Sequence, residues 1–278
     1  MSTHEVPHVR GPLIRVPGFG RCIYCGILGS DQKLTDEHII PDGIAGDYVL
    51  QSASCLSCAK IIQRWESKII NGNFGQARQF YDIKSRKRRG SKYRGYSRFW
   101  YSGSYDGGDD DTMHHPVNSD MVYVVALDRT GLRPSILTDN FVGMSPPRYP
   151  FGSLHNTDKW PKDRSISIQT FFGATDQFTA KIAHGYAMAV LGPEAFKPYL
   201  NDMIVSGDYV DNGHLIGSSN SPIIEHSPLH RLTSSIVERE CNPDPRLPGA
   251  MRKLVVVEIE LFAHIFGCKL EVVAGELK

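Results

Sequence analysis

Nowhere in the 278 residues is there an unbroken apolar run of about eighteen, the length a helix needs to cross a bilayer, so no membrane-spanning helix is expected. Charge of one sign is missing as well. The 31 Lys and Arg are matched by 30 Asp and Glu, which leaves any argument for a polyanionic partner to local patches. The first residues, Met1-Ser2-Thr3-His4-Glu5, lack the basic-then-apolar form of a secretory leader, and the cytoplasm is the expected compartment. No internal repeat is visible. Cysteine is scarce at six, too few for a disulfide-dense scaffold, yet four of the six fall in two Cys-x-x-Cys pairs. In a reducing compartment that spacing points to metal, not to bridges.

Apolar residues make up 41% of the chain and charged residues 22%, values that put it among globular proteins and against disorder. Pro7, Gly11, Pro12, Pro17, Gly18 and Gly20 break the first twenty residues into an extended lead-in. A short strand is expected from Leu34 to Ile40, turn chemistry at Pro41-Asp42-Gly43 and Gly46-Asp47, and a second strand near Tyr48 to Leu50. From Leu56 to about Ile70, Ile61, Ile62, Trp65 and Ile69 recur at helical spacing and Asn71-Gly72 supplies a stop. A further short helical stretch is expected near Gly75 to Tyr81. The order is strand, strand, helix.

Gly103 to Asp111 is glycine-rich and acidic, the composition of a linker, and divides the chain into 1–102 and 112–278. Beyond it, Met121 to Leu127, Ser165 to Phe172, Leu254 to Phe262 and Leu270 to Val273 are rich in β-branched and aromatic residues and predict strands. A strong helix is expected from Asp176 to Leu191, with Phe178, Ile182, Tyr186 and Ala189 or Val190 on its apolar face and Gly192-Pro193 ending it. A shorter helix is expected from Glu194 to Ile204. The fold class is α+β, with mostly sequential strands in the second part.

Cys22-Ile23-Tyr24-Cys25 and Cys55-Leu56-Ser57-Cys58 can each chelate one Zn²⁺ as thiolates and together complete a closed tetrahedral site of four sulfurs. Such a site would supply folding free energy that a segment of this size hardly draws from its own core. Cys241 and Cys268 stand apart and read as unliganded core cysteines.

Between the two pairs lies Thr35-Asp36-Glu37-His38-Ile39-Ile40-Pro41. With the bracketing cysteines, this segment resembles the HNH or ββα-metal endonucleases. That family places an acidic residue or His beside a His at the end of the first strand and opens its helix with the second zinc pair. The resemblance covers about Cys22 to Glu66 and implies a zinc-stapled ββα-metal module that cuts DNA. His38 would be the general base, since a neutral imidazole can take a proton from water. Glu37 would be a ligand for a hard catalytic ion, Mg²⁺ or Mn²⁺, distinct from the structural Zn²⁺.

Two features depart from the family pattern. Ala59 stands where many relatives place an Asn or His after the last cysteine, and no Asn falls between Pro41 and Cys55. Glu66, seven positions beyond Ala59 and near the same helix face, is offered as the substitute ligand, although it lies roughly 10 Å further along the axis. Gln63, Asp36 and Asp42 are the other candidates.

After the module comes a basic stretch without an acid. Lys84, Arg86, Lys87, Arg88, Arg89, Lys92, Arg94 and Arg98 could contact phosphates, and Tyr93, Tyr96 and Phe99 could stack on bases. Phosphate contacts of this kind give affinity and no base choice. His184, among alanines, reads as a packed and hydrogen-bonded residue, and His226 and His230 have no recognised ligand spacing. The expected function is thus a metal-dependent DNA endonuclease whose C-terminal α+β domain serves substrate selection, homodimer formation or regulation. The rivals are a zinc-dependent nucleic-acid-binding protein that has lost catalysis and a ligand-gated protein that does not act on nucleic acid.

Overall fold

The computed structural model describes residues 11–71, 174–207, 213–220, 228–241, 250–263 and 268–278, with isolated residues between. The expected strands at 121–127 and 165–172, the stretch at 75–81, the linker at 103–111 and the basic segment 84–98 fall wholly or mostly outside them.

Two sheets and three α-helices make up the described part. The first sheet has the order β1 (Ile14–Val16), β3 (Tyr48–Cys55), β2 (Leu34–His38), and helix α1 (Leu56–Asn71) follows directly from β3. β2 and β3 are antiparallel, while β1 lies parallel to β3. The strand, strand, helix order read from the sequence is present. β3 is longer than expected because Ser52, at φ 46°, interrupts the alternation and lets a bulged strand run on to Cys55. Asp36 braces that bulge: its carboxylate accepts the Ser52 N–H at 3.1 Å and pairs with Arg15 at 3.0 Å. The register shift between Thr35 and Glu37 leaves Glu37 buried while Asp36 is exposed.

The turn after β2 is a 3-10 turn at Asp42–Ile44, closed by Ala45 at φ 67°. Gly46 lies against the Ile40 carbonyl so closely that a Cβ would come within 1.9 Å of that oxygen. Only glycine fits there.

The second sheet has the order β4 (Phe196–Pro198), β8 (Cys268–Leu277), β7 (Ala250–Leu261), β6 (His230–Cys241), and β5 (Ile216–Asn220) also pairs with β8. β6 and β7 pair across twelve residues. Leu254 to Val257 are buried consecutively, which is the mark of a strand covered on both faces. The helix expected from Glu194 to Ile204 is instead strand β4 followed by α3 (Asn201–Ser206). Gly192 at φ 78° stops the preceding helix, and Pro198 pushes Lys197 toward extended backbone.

Helix α2 (Ala174–Leu191) packs against α1, α3, β7 and β8. The sequence predicts one buried face, but nearly every described side chain from Thr175 to Met188 is buried, while Val190 is exposed. A helix surrounded by neighbours buries polar side chains too, and these must find partners. α2 and the cysteine-pair region share one apolar core. At its centre, Phe262 lies against Phe74, Tyr81 and His230, with ring centroids 5.8, 5.7 and 4.9 Å away, and Phe74 in turn meets Phe178 at 5.3 Å. Removing that ring leaves a cavity between the two halves of the core. Phe262→Ala is expected to lower the unfolding free energy by about 3–5 kcal/mol, read from urea denaturation, with no separate early transition for either sheet.

Candidate functional site

The cysteine cluster is built by two local devices. Cys22 to Gly26 form a tight knuckle: the Gly26 N–H donates to the Cys22 carbonyl at 2.9 Å, Gly26 adopts φ 76°, and the Cys22 N–H donates to Ile27 at 2.8 Å. Cys55 ends β3 and Cys58 lies in the first turn of α1, where backbone N–H groups and the helix dipole favour negative charge. The knuckle is laced to β3 by the Ile23 N–H on Ala53 at 2.8 Å.

The four sulfurs lie within 4.8 Å of one another, and Cys25 and Cys55 are 3.7 Å apart. Four thiolates at about 2.3 Å from a tetrahedral Zn²⁺ stand about 3.8 Å from each other, so the tetrad could hold a zinc ion with little adjustment. Its electrostatics agree. Burial raises the Cys22 and Cys58 pKa values, and at Cys58 the neighbouring Cys22 adds to the rise. At Cys55, burial also acts upward but is outweighed by hydrogen bonds from Cys58, Cys25 and Cys22, and the pKa is lowered. Thiolates crowded this closely repel one another, and a divalent cation would relieve that repulsion.

Next to the tetrad is an acidic site that the sequence reading reached only in part. Glu37 on β2 and Glu66 on α1 converge on one cation, the ammonium of Lys181 on α2. Lys181 Nζ stands 2.8 Å from Glu37 and 3.1 Å from Glu66, and it donates to the backbone carbonyls of His38 and Ile39. The Lys181 side chain is 1% exposed. Burial alone would lower its pKa, but Glu37 and Glu66 more than offset this and raise it, so the group stays an ammonium. The Glu66 pKa is raised, first by burial and then by Glu37, against the pull of Lys181. Tyr24, buried beside both carboxylates, is held as the neutral phenol by burial and by their negative charge.

Among the expected catalytic-ion ligands, then, Glu37 and Glu66 are brought together, although helix geometry alone left Glu66 uncertain. Asp36 is occupied by the β3 bulge. A hard divalent ion matches the chemistry of these oxygens, but their shared position is filled by Lys181, whose ammonium has no lone pair to donate. As arranged, the pair does not fit such an ion. His38, the last residue of β2, is half-buried beside Glu37. The basic residues Lys84 to Arg98 lie outside the described residues.

One turn beyond Lys181 on the same helix face, His184 reaches the cysteine knuckle. Its Nε2 donates to the Ile23 carbonyl at 2.8 Å, and its ring lies 5.5 Å from that of Tyr24. It is packed and hydrogen-bonded, as expected of a helix histidine among alanines. His230 likewise donates Nε2–H to Ile44 at 2.7 Å and accepts the Phe262 N–H at 3.3 Å. Lys181 itself carried no sequence signal beyond being the one basic residue in an otherwise apolar and neutral stretch of α2.

No family model, curated protein or solved structure matches this chain.

Two outcomes are expected from this geometry. Protein purified without chelator should carry one equivalent of zinc by elemental analysis, and Cys55→Ser should lose that zinc together with the near-ultraviolet signal of Tyr24 packing. Burial lowers the His184 pKa to about 4, only partly opposed by the Ile23 hydrogen bond. The unfolded chain therefore binds the extra proton below about pH 6.5 while the folded one refuses it down to about pH 4, so stability falls as the pH drops through that window. At 1.36 kcal/mol per unit the full loss is about 3 kcal/mol. Urea midpoints measured from pH 7 to 4 should fall less steeply in His184→Gln than in the wild-type protein.

Proposed function

We propose that this chain is a DNA endonuclease of the HNH kind, in which the zinc-stapled β2–β3–α1 unit presents His38 as general base. The observation that carries this reading is the position of His38. It ends β2, half-buried, on a hairpin whose flanks bear the cysteine tetrad and whose next element is the helix that carries Glu66. A neutral imidazole there takes a proton from the water that attacks phosphorus. Basic side chains of the 84–98 segment contribute cationic charge to the DNA backbone. No step is assigned to an ion between Glu37 and Glu66, because Lys181 stands there.

A second reading, a module that binds nucleic acid without cutting it, is favoured by that same Lys181 and by Ala59 in place of a helix ligand. Conversion of supercoiled plasmid to nicked or linear forms, followed with Mg²⁺, Mn²⁺ and EDTA, separates the two. Under the nuclease reading, His38→Ala lowers the rate by at least about a hundredfold while the gel-shift affinity for the same DNA is kept. Equal silence of both proteins in every metal, with intact DNA binding, transfers the case to the binding module.

A further inference from the structure

The Glu37–Glu66 pair is a cation site that already has its cation. Four oxygens face Lys181 Nζ: one carboxylate oxygen each from Glu37 at 2.8 Å and Glu66 at 3.1 Å, and the carbonyls of His38 and of Ile39 at 3.3 Å. The two carboxylate distances are those of ion pairs with an ammonium; Mg²⁺ would demand about 2.0–2.1 Å and Ca²⁺ about 2.3–2.6 Å. The pair has therefore closed on an ammonium.

We propose that Lys181 is the resident cation of this oxygen cage and excludes divalent ions from it.

Three physical points carry the inference. A divalent ion shared by the two carboxylates would have to occupy the volume that Nζ occupies, and like charges at that distance repel strongly in a buried setting. The ammonium has nowhere else to go: the side chain is 1% exposed, its stem belongs to a helix that is buried nearly all round, and withdrawing it would leave a desolvated charge without acceptors. Finally, the donor set is split between distant parts of the chain. Glu37 and Glu66 come from the zinc-pair region and Lys181 from α2, so the cage forms complete with its cation only when α2 is seated. Lys181 is thus a positioning residue that fixes the carboxylates and the His38 backbone, not a group that touches substrate. The inference rests on this ion-pair geometry and holds whether or not the chain cuts DNA.

The test is Mn²⁺ binding to the zinc-loaded full chain, read from the free-ion electron paramagnetic resonance signal, with zinc counted separately to confirm an intact tetrad. Wild type and Glu37→Gln are expected to give the same isotherm. Lys181→Ala is expected to gain one Mn²⁺ site at least tenfold tighter than anything in the wild type, and Lys181→Ala/Glu37→Gln to lose it. A wild-type site of one equivalent that disappears in Glu37→Gln would overturn the proposal, as would a folded Lys181→Ala protein that gains no site. Should Lys181→Ala fail to fold, the comparison of wild type with Glu37→Gln decides alone. A failure of plasmid cleavage leaves these isotherms unaffected, so the two readings fall separately.

Discussion

An ammonium taken out of water must be surrounded by oxygen, and Lys181 obtains its oxygens from β2, from α1 and from the backbone of residues 38 and 39. That requirement dictates much of the described arrangement. It draws α2 across the end of β2, holds Glu66 toward Glu37 across two elements, and sets the backbone at His38. Three residues on, His184 applies the same logic to the cysteine knuckle, where a neutral imidazole satisfies the Ile23 carbonyl. Phe178, one turn the other way, adds the apolar contact with Phe74. One face of one helix thus fastens the core, the acidic pair and the cysteine knuckle in succession.

The cysteine tetrad works at shorter range. A bound ion would tie the 22–26 knuckle to the junction of β3 and α1, adding to the Ile23–Ala53 backbone bond and the shared core, and would turn thiolate repulsion into attraction. Lys181 and the tetrad are complementary in reach: the cysteines close a loop of about thirty residues, whereas Lys181 bonds a carbonyl 143 positions away in the chain. Removing one partner from a buried ion pair costs about 3–5 kcal/mol, so the long-range tie is not a decorative one.

What could be read in the sequence follows the same division. The Cys-x-x-Cys pairs, the strand-strand-helix order and the turn at Pro41 to Gly46 are local patterns, and each appears in the fold. Helix α2 was visible from its spacing and its Gly192-Pro193 stop, but not its environment, because periodicity gives one apolar face and says nothing of neighbours on the other sides. β6 escaped notice for the opposite reason. Its Ser234, Ser235, Glu238 and Arg239 face solvent or stay half-exposed, and it is a strand because β7 offers it twelve paired positions, not because of its own apolar content. The helix expected after Pro193 yielded to Pro198 and to pairing with β8. Glu37 and Glu66 could be nominated from a motif and a helix face. Their cation could not, since a lone lysine in an apolar and neutral stretch of helix says nothing of the carboxylates that meet it from 115 or more positions away.

Charge counting sharpens the meaning of that cation. Two carboxylates and one ammonium leave the cage with a net negative charge, and the site responds in the way electrostatics requires: Glu66 holds its proton to higher pH, through burial first and through Glu37 second. A divalent ion in the same place would cancel both charges and remove that upward pressure on Glu66, so an ammonium is the weaker neutraliser but the one the chain supplies itself. The consequence lies in control. An ion is taken from solution and varies with its concentration, whereas Lys181 arrives only with α2, so the state of the acidic pair beside His38 is set by the packing of the chain.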